Sequence, residues 1–293
     1  MFLVEAPGAA LRVIDSVSIL QWCFHNAMTT LAAWVSADSE KLSACYLMSD
    51  SRITWGSAHW DAGQKLFVSH RFPDVFGYSG DVQFPTLALR QALDRLDQGL
   101  LLAPGASSEA RHQSVCQELE TAYHAYPAHK AENSTILHFS RDGSGKHAQF
   151  SLWKIEWSRD SAIRSSSLVL PTSSVIGETA GSGLKILVER NEAWKKAQGR
   201  TARGIFSSFC DALESGEDPH SAGPPQLVAL YPSFPSRLFG IVWRNQLYSA
   251  GSPVPDAAQL DAFEWRNCLF ERVDPHTLRR LAGAQPQPRP TKL

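Results

Sequence analysis

A series of short motifs along the 293 residues carries side chains that could do nucleophilic chemistry. Met28-Thr29-Thr30 brings two hydroxyls, and Ser49-Asp50-Ser51-Arg52-Ile53-Thr54 brings a carboxylate among hydroxyls. Gln64-Lys65-Leu66-Phe67 follows, then Gly77-Tyr78-Ser79-Gly80-Asp81. Far downstream stand Gly181-Ser182-Gly183 and Asp218-Pro219-His220-Ser221-Ala222-Gly223. A threonine hydroxyl is a poor nucleophile until a base takes its proton. Each motif alone has a plainer meaning. Asp50 or Lys65 would be a surface salt-bridge residue, and Asp50-Ser51 a turn or cap. Ser182 between two glycines makes a good helix N-cap, and Asp218 to Ser221 reads as an ordinary polar loop. Only the set, in this order, points beyond those readings.

The elements that must position these residues follow from the apolar pattern. Thr30–Ala37 and Leu42–Ser49 read as strands joined by a turn over Ala37-Asp38-Ser39-Glu40. Short strands follow at Lys65–Ser69 and Val75–Ser79. Leu89, Leu93, Leu96 and Leu100 recur on one helical face, broken by Pro104-Gly105, and Val115, Leu119, Ala122 and Tyr126 form a second stripe. Thr135–Ser140, Ala148–Trp157 and Ser167–Leu170 read as strands, with Asp142-Gly143 as a hairpin turn. Leu184, Leu187, Val188 and Trp194 mark a third helix. Ile205, Phe206, Phe209 and Leu213 mark a fourth, capped by Thr201 and closed by Gly216. Strands at Leu227–Tyr231, Leu238–Trp243 and Gln246–Ala250 complete the pattern. Runs of strands and helices segregated in this way predict antiparallel sheets covered by helices, not an alternating βαβ unit.

Composition narrows the function classes. Hydrophobic residues make up 43% of the chain, enough for a core. Lys+Arg is 28 against Asp+Glu 29, so the basic excess of a general nucleic-acid binder is absent. No apolar run approaches the roughly 18 residues that would cross a bilayer, so neither nucleic acid nor membrane is expected as a partner. The five cysteines are scattered without a CxxC pair, and the ten histidines form no HxxxH or HExxH pair. A disulfide framework and a metal site therefore have no sequence support, and a reducing cytoplasm is the natural compartment. Asp142-Gly143-Ser144-Gly145-Lys146 looks faintly like a phosphate loop but lacks the first glycine and sits in a hairpin. Trp153, Trp157, Trp194 and Trp243 lie on strand or helix patterns and read as core or interface. Leu260–Val273 is helix-like and reads as packing on the body.

In their shared order, from about Thr29 to Ala250, the motifs resemble proteasome β-subunits and the simpler bacterial HslV-type ring peptidases. These are N-terminal-nucleophile (Ntn) hydrolases. The resemblance implies an α+β fold, a four-layer αββα sandwich of the Ntn-hydrolase type. It implies Thr29 as the nucleophile, with its own α-amine as the base, free only when Thr29 is the first residue. Lys65 would sit beside the hydroxyl, favouring alkoxide character and lowering the pKa of the amine, and Asp50 would pair with that lysine. The backbone N–H of Gly80 would be the oxyanion donor. Ser182, Asp218 and Ser221 match the polar network that holds the new N-terminus. Thr54 and Gly80 match residues that bind substrate as an added strand. The implied specificity pocket maps to Ile53, Gly63, Tyr78 and Val82, which are apolar, so cleavage after apolar residues is expected.

The chain departs from the family in two places. Ala222 stands where the pattern has its first glycine after Ser221, although Gly223 is kept. Residues 1–28 precede Thr29 and would block its amine. They lack the charge pattern of a secretory signal and end in Met28, not the glycine of family propeptides. The expectation is translation from Met28 and removal of that methionine. The chain then divides into a leader or mis-assigned segment (1–28), an Ntn-hydrolase domain (29–251), a C-terminal extension (252–284) and a Pro-rich, mobile tail (285–293). The expected function is a threonine-type endopeptidase in a self-compartmentalised homo-oligomeric ring, acting on peptide or unfolded protein without a cofactor. An AAA+ unfoldase is left open as a partner. An Ntn amidase for a small amide, or a non-catalytic ring or scaffold subunit, are the alternatives.

Overall fold

The computed structural model describes residues 29–38, 41–127, 132–158, 161–255 and 259–290. The leader 1–28 and its junction therefore lie outside the described residues. The first sheet has the order β10 (Ile176–Gly181), β1 (Thr30–Asp38), β2 (Lys41–Ser49), β11 (Gln226–Leu230), β12 (Arg237–Leu238), antiparallel throughout. The second has the order β5 (Leu66–Val68), β6 (Asp74–Gly80), β7 (Ser134–Asp142), β8 (Gln149–Ser158), β9 (Ser161–Leu168), also antiparallel. A two-stranded hairpin, β3 (Ile53–Trp55) and β4 (Ala58–Trp60), stands between β2 and β5 in the chain.

β1 shows why its sequence is apolar throughout instead of alternating. Leu31, Ala33 and Val35 point into a cluster shared with Leu66, Val75, Leu137 and Phe139 of the second sheet. Ala32 and Trp34 point the other way, toward Phe206 and Phe209 of α4 (Ala202–Ser215). A strand covered on both faces reads as a continuous apolar run. On the far side of the second sheet, Phe76, Ile136 and Trp157 meet Phe84, Leu89 and Leu93 of α1 (Gln83–Asp97). Val115 and Leu119 of α2 (Ser108–Ala125) join the same cluster. α1 ends earlier than its leucine stripe suggests, so Leu100 lies past the helix and is exposed. α3 (Leu184–Gln198) adds Leu187 to the α4 side, where Thr201 caps α4 and Gly216 closes it in the left-handed conformation.

The expected four-layer αββα sandwich is overturned. The described residues form seventeen strands in four sheets, mostly antiparallel, against only four α-helices. The cause lies at the C-terminal end. Leu260–Val273 is not a helix: a single 3₁₀ turn at Leu260–Ala262 leads into β16 (Trp265–Asn267) and β17 (Arg272–Val273). These join β13 (Gly240–Trp243), β14 (Gln246–Ser249) and β15 (Ser252–Pro253) in a third five-stranded sheet, with β16 parallel to β13. Residues after 251 thus complete a sheet begun before it. Ile241, Trp243 and Phe270 of this region cover Trp34 and Tyr46 beside α4, so part of the first sheet's outer face is covered by sheet and loop, not helix. Residues from Gln285 to Arg289 contact the body, through Arg203, Ser207, Gln198, Asp211 and Glu214. Gln287 is buried, its N–H donating to Glu271 Oε1 (2.8 Å) and its Nε2 to Ser207 Oγ (3.0 Å). Among the described residues no helix is long and apolar enough to cross a membrane.

Candidate active site

Sheet register brings the motif ends together. Leu31 pairs with Ser49, so Asp50, just past β2, falls beside Thr30, and its N–H donates to Thr30 O (3.3 Å). Lys65 immediately precedes β5 of the second sheet and reaches across to the start of β1. Its Nζ donates to Thr29 Oγ1 at 2.8 Å and to Asp50 Oδ1 at 2.9 Å. Asp50 also accepts from the N–H groups of Thr30 (3.0 Å), Arg52 (2.9 Å) and Ala222 (3.2 Å). Thr29, Asp50 and Lys65 are 1%, 0% and 1% exposed.

Burial sets the electrostatics of the pair. It lowers the Lys65 pKa below the ordinary lysine range, opposed by the Asp50 carboxylate. It raises the Asp50 carboxyl, opposed by the Lys65 ammonium and the backbone donors. A lysine held in this way is a less reluctant proton donor to an oxygen than a solvated one, and Thr29 Oγ1 is the oxygen it touches.

Ser182, Asp218 and Ser221 also converge. Both serine hydroxyls donate to Asp218 Oδ2 at 2.7 Å. Because Ser221 spends its proton there, the 2.7 Å contact between Thr30 Oγ1 and Ser221 Oγ has Thr30 as donor. The network therefore grips the start of β1 through Thr30. Two glycines make room for it. A Cβ on Gly183 would lie 1.9 Å from Thr30 Oγ1, and one on Gly181, whose φ is +106°, would lie 1.8 Å from Thr29 O.

Gly80 ends β6 with φ +109°, and a Cβ there would meet Asn133 O at 2.2 Å. Its neighbour Ser79 has a buried hydroxyl with no hydrogen-bond partner, 3.1 Å from the Cβ position of Gly181. The end of β6 thus approaches Thr29. Thr54 pairs with His59 in the β3–β4 hairpin, and its Oγ1 is also buried without a partner.

The four expected pocket residues do not line one open pocket. Ile53 fills the space over Gly63, where a Cβ would lie 2.1 Å from Ile53 Cδ1. Tyr78 is fully buried among the α1 and α2 contacts, its hydroxyl donating to Gln64 O (3.3 Å) and accepting from Thr86 Oγ1 (2.9 Å). Val82 packs against that same cluster.

Gln226 is a site residue that the motif pattern misses. It opens β11 and is 1% exposed. Its Oε1 accepts from the N–H groups of Lys65 (3.1 Å) and Leu66 (3.4 Å). Its Nε2 donates to Gly63 O (2.8 Å), Ser51 Oγ (2.9 Å) and Asp50 O (3.1 Å). One amide thus fixes the lysine-bearing segment against the aspartate-bearing one. The only hint in the sequence is a long polar side chain at the head of an otherwise apolar strand. Arg52 and Asp61, joined at 2.7 and 2.8 Å, close the hairpin loop over the same region, a pairing the sequence reading also lacks. Among the described residues no group of three or more His, Cys, Asp or Glu is arranged to hold a metal ion.

No family model and no curated protein matches the chain. Among solved structures, Thiobacillus denitrificans BPH in complex with epoxomicin is similar at 17% sequence identity and a TM-score of 0.44. That match covers 70% of this chain and 100% of the other. At this level the likeness carries no argument about function.

Proposed function

We propose that the chain is a threonine-type endopeptidase whose nucleophile is Thr29, acting once residues 1–28 no longer precede it. The observation that supports this most is the buried contact of Lys65 Nζ with Thr29 Oγ1 (2.8 Å) and Asp50 Oδ1 (2.9 Å). A lysine without a role in chemistry rarely sits in the interior against a threonine hydroxyl.

In this reading the freed α-amine of Thr29 takes the hydroxyl proton while Lys65 stabilises the developing alkoxide. Oγ1 attacks the scissile carbonyl, and the oxyanion is met by the Gly80 N–H. The C–N bond breaks as the α-ammonium returns its proton to the leaving amine. Water, deprotonated by the same amine, then hydrolyses the ester and restores Thr29. Asp50 keeps the lysine in place, and Gln226 fixes the distance between their two segments. Ser182, Asp218 and Ser221 hold the first residues of β1. The substrate is peptide or unfolded protein, bound as an added strand beside Thr54 and Gly80. The setting is a homo-oligomeric ring in the cytoplasm, and an AAA+ unfoldase is a partner to be looked for.

The test pairs intact-mass and N-terminal sequencing of protein from its own host with a fluorogenic peptide assay on Thr29→Ala. The reading expects a chain that begins at Thr29 and a Thr29→Ala variant that folds, assembles and is inactive. Full peptidase activity in protein that retains residues 1–28 would sink it.

A further inference from the structure

A second set of polar side chains crosses the outer face of the second sheet beneath α2, away from Thr29. Asp74 of β6 is fully buried and accepts from Arg111 Nε at 2.7 Å through Oδ2. Its Oδ1 lies 3.0 Å from His138 Nε2. His138 Nδ1 lies 2.9 Å from His112 Nδ1, and His112 Nε2 lies 2.6 Å from Ser165 Oγ. Both rings are buried and their planes are fixed by stacking: His138 on Phe76 at 3.9 Å and His112 on Trp153 at 4.4 Å. Ser165 is exposed, on β9, which has no strand on its outer side among the described residues.

The tautomers follow from the first acceptor. The guanidinium and the imidazole hold Asp74 ionised, its carboxyl below the usual range despite burial. A carboxylate can only accept, so His138 donates from Nε2 and presents a bare Nδ1. His112 must then donate from its own Nδ1, which leaves its Nε2 as an acceptor. The Ser165 hydroxyl therefore donates into the chain. Burial and the neighbouring His138 push His112 down to about 3, and burial lowers His138 too, so both rings stay neutral. The other titratable groups nearby are Arg111, Arg141, Asp142, Glu120 and Cys116. Burial pushes the Cys116 thiol up to about 11 against a hydrogen bond with Ser165, so it remains protonated although its Sγ is 3.5 Å from His112 Nε2.

We propose that Ser165 is a reactive serine that takes acyl groups from activated esters, with His112 as its base and His138 and Asp74 as the relay behind it. Ser165 Oγ forms a bond to the acyl carbon as its proton moves to His112 Nε2. The Nδ1 proton of His112 passes to His138 Nδ1, which places the positive charge beside the Asp74 carboxylate. The bond from the acyl carbon to the leaving oxygen breaks, and the leaving phenolate goes to solvent. Proton loss from the relay then restores both neutral rings. A bond chain serving only to tie α2 to the sheet would leave Ser165 no more reactive than Ser166 and Ser167, which are exposed on the same strand.

The test uses the full chain carrying Thr29→Ala, so that acylation at that hydroxyl does not consume reagent. The protein is treated with 4-nitrophenyl acetate between pH 5 and 8, and acetylation is located by peptide mapping. Ser165 is expected to react at least about tenfold faster than Ser166 and Ser167, short of the gain of a base matched to the working pH because burial leaves His112 a weak one. Its rate should be nearly flat over that range, whereas an unassisted hydroxyl speeds up about tenfold per pH unit. His112→Gln, checked for folding by circular dichroism, should bring Ser165 down to the level of its neighbours. Equal acetylation of the three serines, no acetylation of Ser165, or a tenfold-per-unit rise at Ser165 overturns the proposal whether or not His112→Gln folds.

Discussion

Replacing Lys65 by methionine separates what the lysine does for chemistry from what it does for stability. Methionine fills the lysine's volume, so no large cavity is left, but the ammonium between Thr29 Oγ1 and Asp50 Oδ1 is gone. Removing one partner of a buried ion pair costs about 3–5 kcal/mol, because the other charge is left behind. Here Asp50 keeps three backbone N–H donors at 2.9–3.2 Å, so the cost should fall near the lower end, about 3 kcal/mol. Activity should fall by at least about a hundred-fold, or about 2.7 kcal/mol of transition-state stabilisation. The double variant Lys65→Met/Asp50→Asn removes both charges. It should recover most of the lost stability, because neither partner is stranded, and none of the activity. Urea midpoints report stability, light scattering reports assembly, and cleavage of a fluorogenic peptide per folded chain reports activity. Recovery of activity along with stability in the double variant would refute the reasoning, since the lysine would then act only as a structural counter-charge.

Further outcomes follow from the same geometry. Lys41→Ala, on the exposed start of β2, should leave activity and urea midpoint within error of the parent. Gln226→Leu leaves buried amide and carbonyl partners unpaired on both segments; it should cost about 2–4 kcal/mol in urea unfolding and lower kcat more than it raises KM. Gly181→Ala forces a Cβ to 1.8 Å from Thr29 O at a positive φ, so the variant should lose peptide cleavage even when circular dichroism shows it folded. His112 is neutral in the fold down to about pH 3 but takes a proton in the unfolded chain below about pH 6.5. The unfolded state then binds more protons, so stability should fall as pH drops from about 6.5 toward 3, by at most ~1.4 kcal/mol per pH unit. A urea midpoint that rises between pH 6.5 and 5, or a slope unchanged in His112→Phe, would contradict that assignment.

Local patterns were readable where each strand or helix meets a well-defined surface. β1 and β11 are apolar on both faces, and α4 carries Thr201 at one end and Gly216 at the other, so their positions follow from the residues alone. The C-terminal third sheet was not readable. β16 and β17 are only three and two residues long, too short to alternate, and β16 finds its partner in β13 more than twenty positions earlier. Leu260–Val273, with its mixed aromatic and charged residues, reads as helix-like until that pairing is known. At the site, Asp50, Lys65 and Thr29 were legible because motif order fixed which strand ends had to meet. Gln226 was not, since its role depends on five bonds to segments about 160 to 176 residues away in sequence. The packing of Tyr78 was not legible for the same kind of reason: its position on β6 turns it toward α1, and only the layer above it shows that.

The most direct test of the central claim is to find the acyl group during turnover. Protein from its own host is mixed with a slowly hydrolysed peptide ester, quenched in acid within one turnover and mapped by mass spectrometry. The account predicts one acyl group per active chain, on the hydroxyl of a Thr29 that is the first residue, and none in Lys65→Met. An acyl group on another residue, or on Thr29 with residues 1–28 still attached, would contradict it.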